Sequence, residues 1–160
     1  MRQDDKQGSL AGPILALDLG EKRVGMAISD ELLISIRRLA PVARSNWKQL
    51  LRDVADTVQT CDAKALVIGL PLGLNGNHGP AAKSVEQIAG KFAQSLTIPV
   101  FLQDERLTSV AAAEQLRDAG HSSKEAKNLL DSQAAAIILG DFIGAEQNRT
   151  EVKAKDTPNV

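Results

Sequence analysis

The sequence predicts a three-layer α/β domain built on a mixed, five-stranded sheet. Three observations carry that prediction. The chain opens with a β-meander, then alternates helical and strand-like stretches, and its later strands are apolar on both faces. Its 160 residues suit one domain large enough for a core of its own.

Residues 1–12 are polar and read as a disordered leader, without the apolar segment of a signal peptide. Ile14–Leu19, Val24–Ser29 and Leu33–Leu39 follow as short apolar runs. Their turns are too short to join anything but antiparallel neighbours. The period then changes. Ser45 can cap a helix in which Trp47, Leu50, Leu51, Val54, Ala55 and Val58 recur at helical spacing. Ala65–Leu70 is uniformly apolar, as a strand covered on both sides is. The loop Pro71–Pro80 holds three Gly and two Asn, and Pro80 suits the first turn of a second helix. That helix carries Val85, Ile88, Ala89, Phe92 and Leu96 on one stripe.

Val100–Gln103 is a short strand that runs straight into Asp104, Glu105 and Arg106. A third helix spans Ser109 to Ala119 and stops at Gly120. Ser122 and Glu125 form a capping box for a fourth, which reaches about Phe142. The folded domain is therefore expected over 13–143, with 144–160 a disordered polar tail. Right-handed crossovers make Ile14–Leu19, Ala65–Leu70 and Val100–Gln103 parallel neighbours. Their C-terminal ends then share one edge, where ligands gather in open α/β sheets.

Composition narrows the function classes. With no Tyr, one Trp and three Phe, single-strand binding on aromatic platforms is disfavoured. The lone Cys61 excludes disulfide frameworks and thiolate zinc sites and fits a reducing compartment. No apolar run approaches the length of a membrane span, so a cytoplasmic protein without membrane contact is expected. A net charge of −1 counts against a broad phosphate-binding surface. Clustered bases, or divalent cations held by acidic groups, would offset it locally.

Three carboxylates stand in awkward places. Asp18 ends a buried strand, Glu105 follows the last strand at the same edge, and Asp131 lies on a helix stripe with Ala134, Ala135, Ile138 and Phe142. Each has an ordinary explanation: a turn residue, a solvated loop acid or partner for Arg106, and an N-cap before Ser132-Gln133. Together they describe a hard-oxygen cage suited to Mg²⁺ or Mn²⁺. Phosphodiester hydrolysis is the chemistry most naturally run there. His78 and His121 are isolated, and no Ser or Thr has a His to activate it.

Four motifs in order resemble the YqgF/RuvX family: Leu17-Asp18-Leu19-Gly20-x-Lys22-Arg23-x-Gly25-x-Ala27; Gly69-Leu70-Pro71-Leu72 with Gly76; Asp104-Glu105-Arg106-Leu107-Thr108; and Asp131-x-x-Ala134-Ala135-x-Ile137-Ile138-Leu139. The likeness covers about Pro13 to Ile143. It implies an RNase H-like fold and a nuclease of 5′-end processing of pre-16S ribosomal RNA, or alternatively a Holliday-junction-resolvase-like enzyme acting on branched DNA. It implies Asp18, Glu105 and Asp131 as catalytic acids and metal ligands, and Lys22 and Arg23 as phosphate contacts. Arg106 and Lys83 are further candidates for the phosphate role. Asn75 stands where the family commonly has an acid. The expected partner is structured RNA or branched DNA, and the protein a monomer or homodimer. An ATPase or sugar kinase would need a second lobe and phosphate loop, whereas Asp118-Ala119-Gly120 follows no strand. A binding module without catalysis is disfavoured by the presence of all three acids.

Overall fold

A computed structural model of the chain describes residues 11–72, 77–105, 123–144 and 150–153, with the side chains of 123–131 outside that description. The elements follow in order: β1 (Ile14–Leu19), β2 (Arg23–Ser29), β3 (Ile36–Ala43), α1 (Trp47–Cys61), β4 (Ala65–Leu70), α2 (Pro80–Ser95), β5 (Val100–Asp104), α3 (Ser123–Gly144) and β6 (Thr150–Val152). The helix expected at Ser109–Ala119 and the middle of the Pro71–Pro80 loop lie outside the described residues.

The sheet order is β3-β2-β1-β4-β5-β6. β1 pairs antiparallel with β2 and parallel with β4, and β4 pairs parallel with β5. The three parallel strands therefore end at one edge, as the crossover rule requires. Six strands replace the expected five. β6 lies in the stretch that polarity alone marks as tail, and it adds antiparallel to β5 through Val100↔Val152 and Leu102↔Thr150.

Strand alternation divides the core into two layers. Leu15, Leu17, Leu66 and Ile68 face α1 and α2, meeting Leu50, Val54, Val85 and Phe92. Ile14, Ala16, Val67 and Phe101 face α3, meeting Ala135, Ile138, Leu139 and Phe142. Two aromatic contacts anchor these layers: Trp47 against Phe92 with ring centroids 4.8 Å apart, and Phe101 against Phe142 at 5.1 Å.

Several boundaries differ from the sequence expectation: β2 starts one residue earlier, β5 ends one residue later and β3 runs on to Ala43 rather than stopping at Leu39. The cap of α1 is Asn46 rather than Ser45, its side chain accepting the Gln49 N–H at 2.9 Å. β3 starts at Ile36 rather than Leu33, because Asp30 organises the preceding residues as a turn. Its Oδ1 accepts the Ile34 and Ser35 N–H groups at 2.7 and 3.1 Å. Those two bonds hold the Asp30 carboxyl below the usual range.

Phe92 is fully buried and supplies the edge-on partner of Trp47. Phe92→Ala should cost about 3–5 kcal/mol in urea unfolding, with an unchanged m-value. A loss below about 1 kcal/mol would place the α1–α2 contact outside the stabilising core.

Candidate active site

Asp18 is the last residue but one of β1 and sits on the α3 side of the sheet, in alternation with Ile14 and Ala16. Its neighbours across the sheet are minimal. Gly25 pairs with it on β2, and the β1–β4 register that matches Leu17 with Ile68 brings Gly69 next on the other side. The turn after Asp18 is tied down at once: the Gly20 N–H bonds to the Asp18 carbonyl at 3.1 Å and to the Arg23 carbonyl at 2.9 Å.

Glu105 follows β5 directly, and its N–H bonds to the Leu70 carbonyl at 3.1 Å. Its carboxyl lies over Gly69. A Cβ built at Gly69 would collide with Glu105 Oε2 and would come 2.5 Å from Ile138 Cδ1. Glycine at this position is thus what makes room for the acid, since any side chain would displace it.

The two carboxyl groups meet. Burial pushes the Glu105 pKa up from an ordinary 4.5 to about 8, reinforced by the Asp18 charge, by a hydrogen bond with the Asp18 side chain, and by the Asp104 charge. Two carboxyls can hydrogen-bond only when they share a proton, because like anions in contact repel. A bound divalent cation would take the place of that proton as the neutralising charge, and these hard oxygen ligands are of the kind Mg²⁺ or Mn²⁺ takes.

Asp131 belongs to α3, one turn ahead of Ala135. Ser132 bonds to Leu39, while Gly140 lies beside Ile36, so α3 runs opposite to β3. The N-terminal half of α3 therefore covers the end of the sheet where β1 and β5 finish. The Asp131 side chain is outside the described residues. Among the described side chains, no group of three His, Cys, Asp or Glu gathers.

The basic residues are distributed unevenly. Lys22 is exposed at the β1–β2 turn, and Arg23 is partly buried on the face that also carries Gly25 and Ala27. Arg106 is outside the described residues. Lys83 is exposed on α2, on the other side of the sheet. Sequence reading missed Arg44. Its Nη1 donates to the Gly20 carbonyl at 2.8 Å and its backbone N–H to the Lys22 carbonyl at 2.8 Å. Arg44 thereby pins the turn beside Asp18, and with Leu19, Gly20, Pro71, Ala81 and Ser84 it lines a groove of about 420 Å³. The signal was faint: a lone basic residue just past a strand.

The shared proton has a pH signature. Between the ordinary 4.5 and about 8 the folded state holds a proton that the unfolded state has released, so stability falls as pH rises through that window and levels off above it. In metal-free buffer, Glu105→Gln should remove this slope. The variant should then melt a few degrees above the parent at pH 8, the scale of about 1 kcal/mol in a domain of this size. Parallel melting curves for parent and variant from pH 5 to pH 8 would contradict the shared proton.

Comparison with known proteins agrees with the fold and the family motifs. Residues 12–145 match the family described as RuvX, Holliday junction resolvase. A Chloroflexus aggregans protein named as a candidate pre-16S rRNA nuclease is 38% identical over 135 residues, covering 84% of this chain and 95% of the relative. A Chloroflexus aurantiacus protein of the same name is 40% identical over 138 residues, covering 84% of this chain and 88% of the relative. Among solved structures, Thermus thermophilus RuvC in complex with a Holliday junction substrate superposes with a TM-score of 0.53 at 14% identity, covering 86% of this chain and 98% of that one. That likeness shows an RNase H-like resolvase fold. With motifs, fold and near full-length relatives in agreement, the chain belongs to the RuvX family, a family of nucleases.

Proposed function

We propose that this protein is a divalent-cation-dependent endonuclease that hydrolyses phosphodiester bonds in structured RNA, in 5′-end processing of pre-16S ribosomal RNA. The observation that carries the reading is the abutment of Asp18 and Glu105 over Gly69 at the C-terminal edge of the parallel strands. The names of the relatives supply the RNA substrate. Residues 13–143, completed by the edge strand β6, form the nuclease domain in this reading, and the protein acts in the cytoplasm as a monomer or homodimer. No helix among the described residues is long and apolar enough to cross a membrane.

In this reading Asp18, Glu105 and Asp131 hold the cation. When bound, divalent cations activate water, neutralise non-bridging phosphate oxygens and stabilise the leaving alkoxide. The protein's own part is orientation. Asp18 rides on a strand end fixed on both sides, and Glu105 is held by its backbone bond to Leu70. Lys22 and Arg23 supply positive charge to the phosphate backbone beside Asp18, and Arg106 follows Glu105 in the chain to do the same. Positive charge beside the acids stabilises the charge that develops on the phosphate.

A second substrate class stands on the family's description as Holliday junction resolvase: branched DNA. Phosphate contacts carry no sequence or sugar information, so the same site serves either polymer. Parent and Asp18→Asn should be assayed with Mg²⁺ on precursor RNA and on four-way DNA junctions side by side. The parent should cleave the RNA, and the variant should be slower by at least about 100-fold, or ~2.7 kcal/mol of transition-state stabilisation. Cleavage by Asp18→Asn at the parental rate would overturn the mechanism, and cleavage of junctions alone would transfer it to DNA.

A further inference from the structure

Among its described side chains, the helix that carries Asp131 is held both by apolar packing and by hydrogen bonds. Its C-terminal half enters the core through Ile138, Leu139 and Phe142, all fully buried, with Phe142 against Phe101. Nearer Asp131 the stripe continues through Ala134 and Ala135. Two hydrogen bonds there reach the edge strand β3.

Ser132 is 2% exposed, and its Oγ donates to the Leu39 carbonyl at 2.6 Å across 93 residues of sequence. Next to it, Arg38 Nη1 donates to Gln133 Oε1 at 3.2 Å. Leu39 is also where the strand pairing is interrupted. Met26 pairs with Leu39 and Val24 with Val42, so Ala40 and Pro41 together face Gly25. Two residues facing one make a β-bulge, a device that re-aims a strand beside functional sites. Gly25 is in turn the cross-strand partner of Asp18. One row across the sheet thus joins the bulge, Gly25 and Asp18, and Ser132 ties α3 to the start of that bulge.

We propose that Ser132 is a positioning residue: its hydrogen bond to the bulge carbonyl of Leu39 fixes the rotation and axial position of α3 at the adjacent Asp131, setting that residue against Asp18 and Glu105. A buried hydroxyl could instead simply satisfy a strand carbonyl. The location of this one argues otherwise, because it sits one residue from the third acid and at the one irregularity of the β2–β3 pairing. The inference rests on Asp131 being a cation ligand, and the experiment separates the two claims.

Mn²⁺ affinity is measured by calorimetry for the parent, Ser132→Ala, Ser132→Thr, Asp131→Ala and the Ser132→Ala/Asp131→Ala double variant. Amide hydrogen exchange along α3 is followed in the same proteins. Ser132→Ala should weaken Mn²⁺ binding about 10-fold, the usual scale for losing an outer partner of a ligand. Ser132→Thr keeps the donor and should retain affinity. In the Asp131→Ala background the Ser132→Ala change should have no further effect. Exchange should rise in the first half of α3 and stay unchanged over 138–144. Parental Mn²⁺ affinity in Ser132→Ala, or an equal loss with Asp131 already removed, would overturn the positioning role whatever the exchange shows. Parental affinity and RNA cleavage in Asp131→Ala would instead overturn the three-acid site on which the inference stands.

Discussion

Two carboxyl groups that would repel each other as anions are held in contact where β1 and β5 end, and burial together with that contact pushes the Glu105 pKa up to about 8, which favours one protonated carboxyl at neutral pH. The surrounding structure makes that contact unavoidable. Asp18 stands between Gly25 and Gly69, Glu105 is tethered to Leu70 through its backbone, and the space its carboxyl takes is the space a side chain at 69 would fill. Such a pair costs stability, since desolvation and like charge both disfavour ionising the second acid. An arrangement that costs stability and is over-determined by its surroundings is one that serves chemistry.

The layers of the fold divide the labour. On one side of the sheet α1 and α2 bury a continuous aliphatic core, completed by Trp47 against Phe92. This side gives the parallel strands a rigid backing. On the other side α3 closes the second core and carries Asp131, the third acid of the proposed site. In the proposed site the placement of Asp131 follows from how this helix seats on the sheet. Among the described side chains, Ala135, Ile138, Leu139 and Phe142 seat the helix by apolar packing, and Ser132 and Gln133 add hydrogen bonds with β3.

Much of this was legible in the residues because the signals were physical and strong. Ala65–Leu70, apolar throughout, had to be a central strand, and it lies between β1 and β5. The helical stripes of α1 and α2 reappear as buried Leu50, Val54, Val85, Ala89 and Phe92. What was not legible follows equally from physics. Leu32 and Ile34 look like strand residues, yet they are 75% and 77% exposed in a turn shaped by Asp30, so their hydrophobicity misplaced the start of β3. β6 has a single apolar residue, Val152, and forms because the outer side of β5 offers an unpaired edge. Within the site, a lone carboxylate in a buried run marked Asp18, and position past a strand marked Glu105. The glycines that make room for them carry no chemistry of their own and were visible only once register was known.

The most direct test of the acidic centre is a crystal soaked in Mn²⁺ and measured at the manganese absorption edge. An anomalous peak within about 2.2 Å of carboxylate oxygens from Asp18, Glu105 and Asp131 together is the predicted result. A peak elsewhere, or an occupied Asp18–Glu105 site with the Asp131 carboxylate turned to another surface, would contradict the account.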